Sequence, residues 1–123
     1  MENNFSHIIT ELPRADISVP GLHAYLLQCI DHQVLFMAFE HDVDIPEHTH
    51  DAQWGAVLDG EIHLSINGKS RVYKRGDTYF IPKNRPHHAK IKAGYKDVTV
   101  FNQKDRYKPK AVNDGRARMS DVD

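Results

Sequence analysis

Turn residues cut the second half of this chain into short pieces. Asp59-Gly60, Asn67-Gly68, Arg75-Gly76-Asp77 and Ala93-Gly94 recur at close intervals. Each pair or triplet favours the tight, positive-φ geometry of a hairpin. The runs between them are too short for stable helices but of ordinary strand length. Glu61–Ile66 alternates, with Ile62, Leu64 and Ile66 on one face and Glu61, His63 and Ser65 on the other, which is the pattern of a half-buried strand. Further strands are expected at Trp54–Leu58, Ser70–Tyr73, Thr78–Ile81, His87–Ile91 and Val98–Phe101. An earlier hairpin is expected from Leu22–Ile30 and Val34–Glu40 around Asp31-His32-Gln33. Asp42–Pro46 reads as a polar bend. Many short strands without a convincing helix or an internal repeat predict an all-β sandwich or barrel.

One domain is enough for 123 residues and can bury its own core. The expected division is an N-terminal arm at 1–16, a β-barrel at 17–103 and a polar C-terminal tail at 104–123, with Arg116–Asp123 a loose end. Sixteen Lys+Arg against seventeen Asp+Glu give a net charge of -1, so no basic excess points to nucleic acid. Cys29 is the one cysteine, which rules out an intrachain disulfide and suits a reducing compartment. The first residues lack the basic and apolar regions of a secretory signal, and Gly21–Ile30 is too short to span a bilayer. A soluble, cytoplasmic protein without membrane partners is expected.

The nine histidines are the compositional excess to be explained. In Pro46–Gly60, His48 and His50 are separated by one residue and share a face if the segment is extended, with Glu47 and Thr49 opposite. Two imidazoles on one face can converge on a divalent cation. A third is offered by His87. In its strand it shares a face with Ala89 and Ile91, whereas His88 falls with Lys90 and Lys92 on the wet side. Gln53 reaches the His48/His50 face only through a bulge or bend at Asp51-Ala52, and Asp51 is its rival as a ligand. His7, His23, His32, His41 and His63 read as surface or hydrogen-bonded residues, and Cys29 as a small buried hydrophobe. Trp54 reads as a core or interface residue.

These residues resemble the cupins, small double-stranded β-helix (jelly-roll) barrels. The first cupin motif joins an H-x-H to an acidic ligand followed by six residues and a glycine. Here it is matched by His48-Thr49-His50, and by Gln53 six residues before Gly60. The second motif is matched by Gly76, five residues, Pro82-Lys83-Asn84, two residues and His87. Asn84, which tolerates positive φ, stands where the family has glycine. The chain departs from the pattern at Asp42, in a loop before Gln53 that is one residue short, and at Ile91. It also carries an amide in place of the acidic ligand.

The resemblance, spanning about Ile17–Phe101, implies a jelly-roll barrel with one divalent metal ion (Zn, Fe, Mn, Ni, Co or Cu) on His48, His50, Gln53 and His87. Three imidazoles and an amide would leave the ion its full +2, favouring anionic ligands and carbonyl polarisation over a trivalent iron state. Glutamine at this position also occurs in cupins resembling a small pectin-degradation protein that linearises unsaturated uronates. The pocket residues of that type, an aspartate, a phenylalanine and an arginine, correspond most nearly to Thr99, Phe101 and, out of register, Arg106. Thr99 carries no carboxylate, so that activity does not transfer. Tyr79, Thr99 and Phe101 are the expected pocket walls.

The implied function is binding of a small oxygen-rich molecule, such as a sugar acid or keto acid, on the metal. The leading expectation is a metal-dependent isomerase, lyase or dioxygenase. The alternatives are a non-enzymatic sensing module and a fold whose histidines are vestigial. No residue stands out as catalytic acid or base. A homodimer is expected through an outer sheet face, with Tyr25, Phe36 and Phe39 as candidates for its surface.

Overall fold

A computed structural model of the chain describes residues 5–111; the expected loose end at Arg116–Asp123 lies outside the described residues. After the short helix α1 (His7–Thr10), capped by the Ser6 hydroxyl, come β1 (Leu22–Gln28), β2 (Gln33–Phe39), β3 (Val43–His48), β4 (Gln53–Asp59) and β5 (Glu61–Ile66). The remaining strands are β6 (Lys69–Lys74), β7 (Thr78–Ile81), β8 (His87–Ile91) and β9 (Lys96–Phe101). They form a five-stranded sheet, β1-β2-β9-β4-β7, and a four-stranded sheet, β3-β8-β5-β6. Every pairing is antiparallel. From β3 onward the chain passes repeatedly from one sheet to the other, which is the jelly-roll winding expected from the sequence.

Alternation decides the core. Val57, Tyr79 and Ile81 from the larger sheet, and Ile62, Leu64, Ala89 and Ile91 from the smaller, are buried together in the layer between the sheets. Leu35 and Phe101 join Ala15, Ala24 and Leu26 in a second cluster, against which Tyr107 packs. Gly68 at φ 79 and Gly76 at φ 92 supply the turns read from the sequence, and Asn84 at φ 59 adopts the conformation for which its place was singled out.

Asp42–Pro46 departs from expectation. It forms most of β3 rather than a bend. As an edge strand of the smaller sheet, β3 tolerates Pro46 and its charged neighbours. The described part of the segment after β9 is also packed. Buried Gln33 bonds it as a strand would: its amide donates to the Tyr107 carbonyl at 2.7 Å and accepts from the Tyr107 N–H at 3.0 Å. Isolated bridges join Arg14 to Tyr25 and Ala15 to Pro109, so the arm and the end of the described chain close one flank together.

Candidate metal centre

His48 and His87 are paired residues of β3 and β8, and the register slips between Ile45 and His48. This bulge at Pro46-Glu47 turns the end of β3 inward. His50 follows in the loop, where its carbonyl accepts the Asn84 N–H at 2.9 Å. That bond links the two motif segments through the positive-φ asparagine. The ring centroids lie 4.2 Å apart for His48 and His87, 4.6 Å for His50 and His87, and 5.1 Å for His48 and His50. One ligand atom from each of the three falls within 4.8 Å of the other two. The strand alternation that puts His87 inward and His88 outward is seen directly: His87 is 3% exposed, and His88 reaches toward Glu47 on the surface.

Backbone carbonyls set the tautomer of each ring. Nδ1 of His48 meets the Pro46 carbonyl at 2.9 Å, Nδ1 of His50 that of Asp51 at 2.6 Å, and Nδ1 of His87 that of Arg85 at 2.8 Å. A carbonyl only accepts, so each Nδ1 carries the hydrogen and each Nε2 presents a lone pair. Burial pushes the His50 imidazole down to about 4, with partial relief from the Asp51 carbonyl and added positive charge from His87 and Arg106. His87 is lowered as well, again chiefly by burial. Rings held through Nδ1, with Nε2 of each turned toward the others, are a donor set that suits a first-row divalent metal.

Gln53 begins β4, is buried, and lines the same cavity as the three histidines. Thr99 fixes which way its amide points. The Thr99 hydroxyl donates to the Trp54 carbonyl at 3.0 Å, so toward Gln53 it can only accept, and it takes the Nε2 hydrogen at 2.8 Å. The amide oxygen is thereby turned away from Thr99. Asp51 takes another role: Oδ1 accepts its neighbour's Ala52 N–H at 2.7 Å and Oδ2 lies 3.9 Å from Lys83. It belongs neither to the histidine cluster nor to the cavity lining.

The cavity between the sheets has a volume of ≈ 320 Å³. Of the expected walls, Tyr79 and Phe101 line it and Thr99 stands behind Gln53. The Phe101 ring packs edge-on to His50 at 5.3 Å. Sequence reasoning missed Asp97. It lines the cavity at 1% exposure, and its Oδ2 accepts the Tyr79 hydroxyl at 2.9 Å and the Tyr95 hydroxyl at 2.7 Å. Its Oδ1 is buried without a hydrogen-bond partner among the described residues. Burial, outweighing both tyrosines, raises this carboxyl to about 6; burial also raises Tyr79 and Tyr95. The available signal was parity: Asp97 shares the inward face of β9 with Thr99 and Phe101. Arg106 and Tyr107 line the cavity too, with the guanidinium 4.6 Å from the Tyr107 ring centroid and its Nε buried without a partner among the described residues.

The remaining histidines stay apart from this centre. His23 bonds Glu40 and Arg14, and His63 bonds Glu61. Cys29 is half-buried just beyond β1. Trp54 is 42% exposed on the outer face of the larger sheet.

Solved structures of similar fold include an RmlC-like cupin from Shewanella frigidimarina, at 24% identity and TM-score 0.68 over 84% of this chain and 92% of that one. KdgF from Halomonas sp. matches at 19% identity and TM-score 0.65, over 74% of this chain and 87% of that one. Salicylate 1,2-dioxygenase from Pseudoaminobacter salicylatoxidans matches at 13% identity and TM-score 0.62; 70% of this chain aligns with only 26% of that larger chain. At these identities the likeness is one of fold. No curated protein gives a significant match by sequence. The Cupin domain family model matches residues 35–103, a stretch that holds both motifs and all three clustered histidines, and the chain belongs to that family.

Proposed function

We propose that this cupin holds one divalent metal ion on His48, His50, His87 and Gln53, binds a small oxygen-bearing anion on it, and acts as a metal-dependent enzyme. The observation that carries the reading is the convergence of Nε2 lone pairs from three rings whose Nδ1 atoms are each committed to a backbone carbonyl. Burial lowers His50 and His87, so these two rings engage a metal without first shedding a proton at neutral pH. When bound, the ion supplies Lewis acidity toward a carbonyl or carboxylate and, with four neutral ligands, keeps its +2 charge for an anionic guest.

The chain's own residues add to this. Arg106 supplies a fixed positive charge close enough to lower both His50 and His87, so an anionic guest gains from both directions. Leu64, Ile81 and Phe101 line the cavity with aliphatic and aromatic surface, which keeps water out and strengthens each polar contact inside. Asp97 is the one carboxyl of the inner face of β9, and near neutral pH it is poised to accept a hydrogen bond or a proton.

The test is turnover of a panel of uronates, keto acids and phenols by metal-loaded protein. Catalysis that disappears on chelation and returns with metal supports the enzyme. Binding of one class without any turnover would replace it with the sensing module.

We also propose that two copies pair through the larger sheet. An apolar row crosses its outer face, Leu27 beside Val34, Val34 beside Val100, Val100 beside Trp54 and Trp54 beside Phe80. Leu27, Trp54 and Phe80 are 43%, 42% and 57% exposed, and a contiguous strip of this kind is what an interface core requires. Of the residues the sequence suggests for that surface, Phe39 lies in the core between the sheets and Tyr25 and Phe36 pack against Phe5, so the proposed surface is a different set of side chains. Among the described residues no helix is long and apolar enough to cross a membrane.

A further inference from the structure

Asp97 presents a combination that structural need does not account for. It is a carboxylate at 1% exposure on the inner face of the larger sheet. Both tyrosine hydroxyls that reach it, from Tyr79 on β7 and from Tyr95 just before β9, bond the same oxygen, Oδ2. Oδ1 receives nothing from the described residues. A buried acceptor left open costs stability, and such atoms are rare in native proteins. The residue lines the same cavity as the histidines.

Its position within the cavity is set by register. Gln53 pairs with Phe101 and Val57 with Asp97 across β4 and β9. Phe101 stands at the level of the metal centre, against His50. Asp97 lies four residues back along the same strand, about 13 Å at the rise of an extended chain. Between the two levels the lining includes Ile45, Leu64, Tyr79 and Ala89, while Met37 pairs with Asp97 itself and Phe39 lies beyond it. The cavity therefore runs from the metal centre and Arg106, past mostly apolar walls, to the level of Asp97, with Asp44 of the edge strand β3 also lining it.

We propose that Asp97 is a specificity-determining residue whose Oδ1 accepts a hydrogen bond from a hydroxyl at the distal end of the ligand. The preferred guest is then an amphipathic hydroxy acid, with its carboxylate toward the metal centre and a hydroxyl carried on an apolar, aryl-sized body. This rests on the metal-site reading given above and narrows it. A polyhydroxylated sugar acid would leave most of its hydroxyls unpaired against Phe39, Leu64 and Ile81. A guest with one distal hydroxyl fills the open acceptor and leaves its body on apolar walls. Sites built to bond a hydroxyl discriminate strongly against the analogue that lacks it, because the protein group is then left unpaired.

The test compares two matched pairs of probes on the zinc-loaded protein by calorimetry: 4-hydroxycinnamate with cinnamate, and 3-(4-hydroxyphenyl)propionate with 3-phenylpropionate. The expected result is at least a tenfold preference for the hydroxylated member of a pair. Asp97→Asn keeps a carbonyl oxygen for Tyr79 and Tyr95 and puts an N–H donor in place of the open Oδ1. It should bring the preference to within twofold while zinc content stays at the wild-type level. A merely structural Asp97 would alter thermal stability in that variant and leave the ratio untouched. Equal affinities in wild type, a ratio unchanged in Asp97→Asn, or no binding of any probe by zinc-loaded protein would each overturn the inference. Failure to take up zinc would instead strike the metal-site reading beneath it.

Discussion

The Nε2 atoms of His50 and His87 face each other at 3.0 Å, although each ring has already given its hydrogen to a backbone carbonyl through Nδ1. Two lone pairs at that separation repel unless a proton or a cation is shared between them. His48 adds a third from β3. The arrangement is one that a metal ion relieves, and several consequences can be measured.

Thr99 holds the Gln53 amide through a chain that ends on the Trp54 carbonyl. Thr99→Val breaks the chain at its middle and frees the amide to rotate. Loss of such a supporting bond typically weakens metal affinity by about 10-fold or more. Thr99→Ser keeps the hydroxyl and should stay within about twofold of wild type by that reasoning. Competition against a chromophoric chelator reads both values. Equal affinity in Thr99→Val and wild type would remove Gln53 from the ligand set.

Asp97 gives a pH dependence with a defined sign. Its carboxyl is raised from 3.8 to about 6 in the folded protein, so between those values the native state holds a proton that the unfolded chain has released. The resulting stabilisation is fully present below pH 3.8 and is lost as pH rises through 6. The shift corresponds to about 3 kcal/mol at neutral pH, an upper figure for one buried group. Asp97→Asn removes the burden but also weakens two charge-assisted bonds from Tyr79 and Tyr95. A net gain of about 1–2 kcal/mol is expected at about pH 7.5, shrinking toward zero below about pH 4. Denaturant melts of both proteins across that range would show it. A difference that does not vary with pH would mean that the Asp97 carboxyl titrates in the folded protein as it does in the unfolded chain.

How much of this is legible in the chain depends on where the information lies. β5, β7 and β8 are readable to the residue, because alternation runs between unmistakable turn residues. Parity alone places His87 inward and His88 outward. β3 is hard to read, since as an edge strand it accepts Asp44, Pro46 and Glu47, and its inner face shows only Val43 and Ile45 before the bulge. Asp97 is hidden by the same bias: a charged residue after Lys96 reads as turn, and only its parity with Thr99 and Phe101 places it indoors. Tyr107 reaches the cavity through Gln33, 74 residues away, and no local pattern encodes a contact of that range; Arg106, which also lines the cavity, is singled out only by the family resemblance.

Gly55 explains how Tyr79 comes to lie flat over β4. The two residues pair directly across β4 and β7, and a Cβ on Gly55 would sit 2.2 Å from the Tyr79 ring. Gly55→Ala should cost about 1–3 kcal/mol through displacement of that ring, and should loosen the Tyr79 bond to Asp97. A thermal melt together with the tyrosine near-ultraviolet circular dichroism tests it. An unchanged melt with an unchanged spectrum would show that the ring has room to move.

Pairing through the larger sheet predicts that charge in the apolar row separates the copies. Trp54→Glu and Phe80→Glu each place a carboxylate in the proposed interface core, where unpaired charge is strongly disfavoured. Sedimentation velocity should report a dimer for wild type and a monomer for either variant, with metal content preserved. A wild-type monomer, or variants that remain dimeric, would refute this face as the interface.

The most direct test is a titration of metal-free protein with cobalt(II), followed by its visible absorption, in wild type and His87→Ala. The account predicts a d–d spectrum that saturates at one ion per chain and an affinity reduced by about 100-fold or more in the variant. Saturation that His87→Ala leaves unchanged, or no cobalt spectrum in wild type, would contradict it.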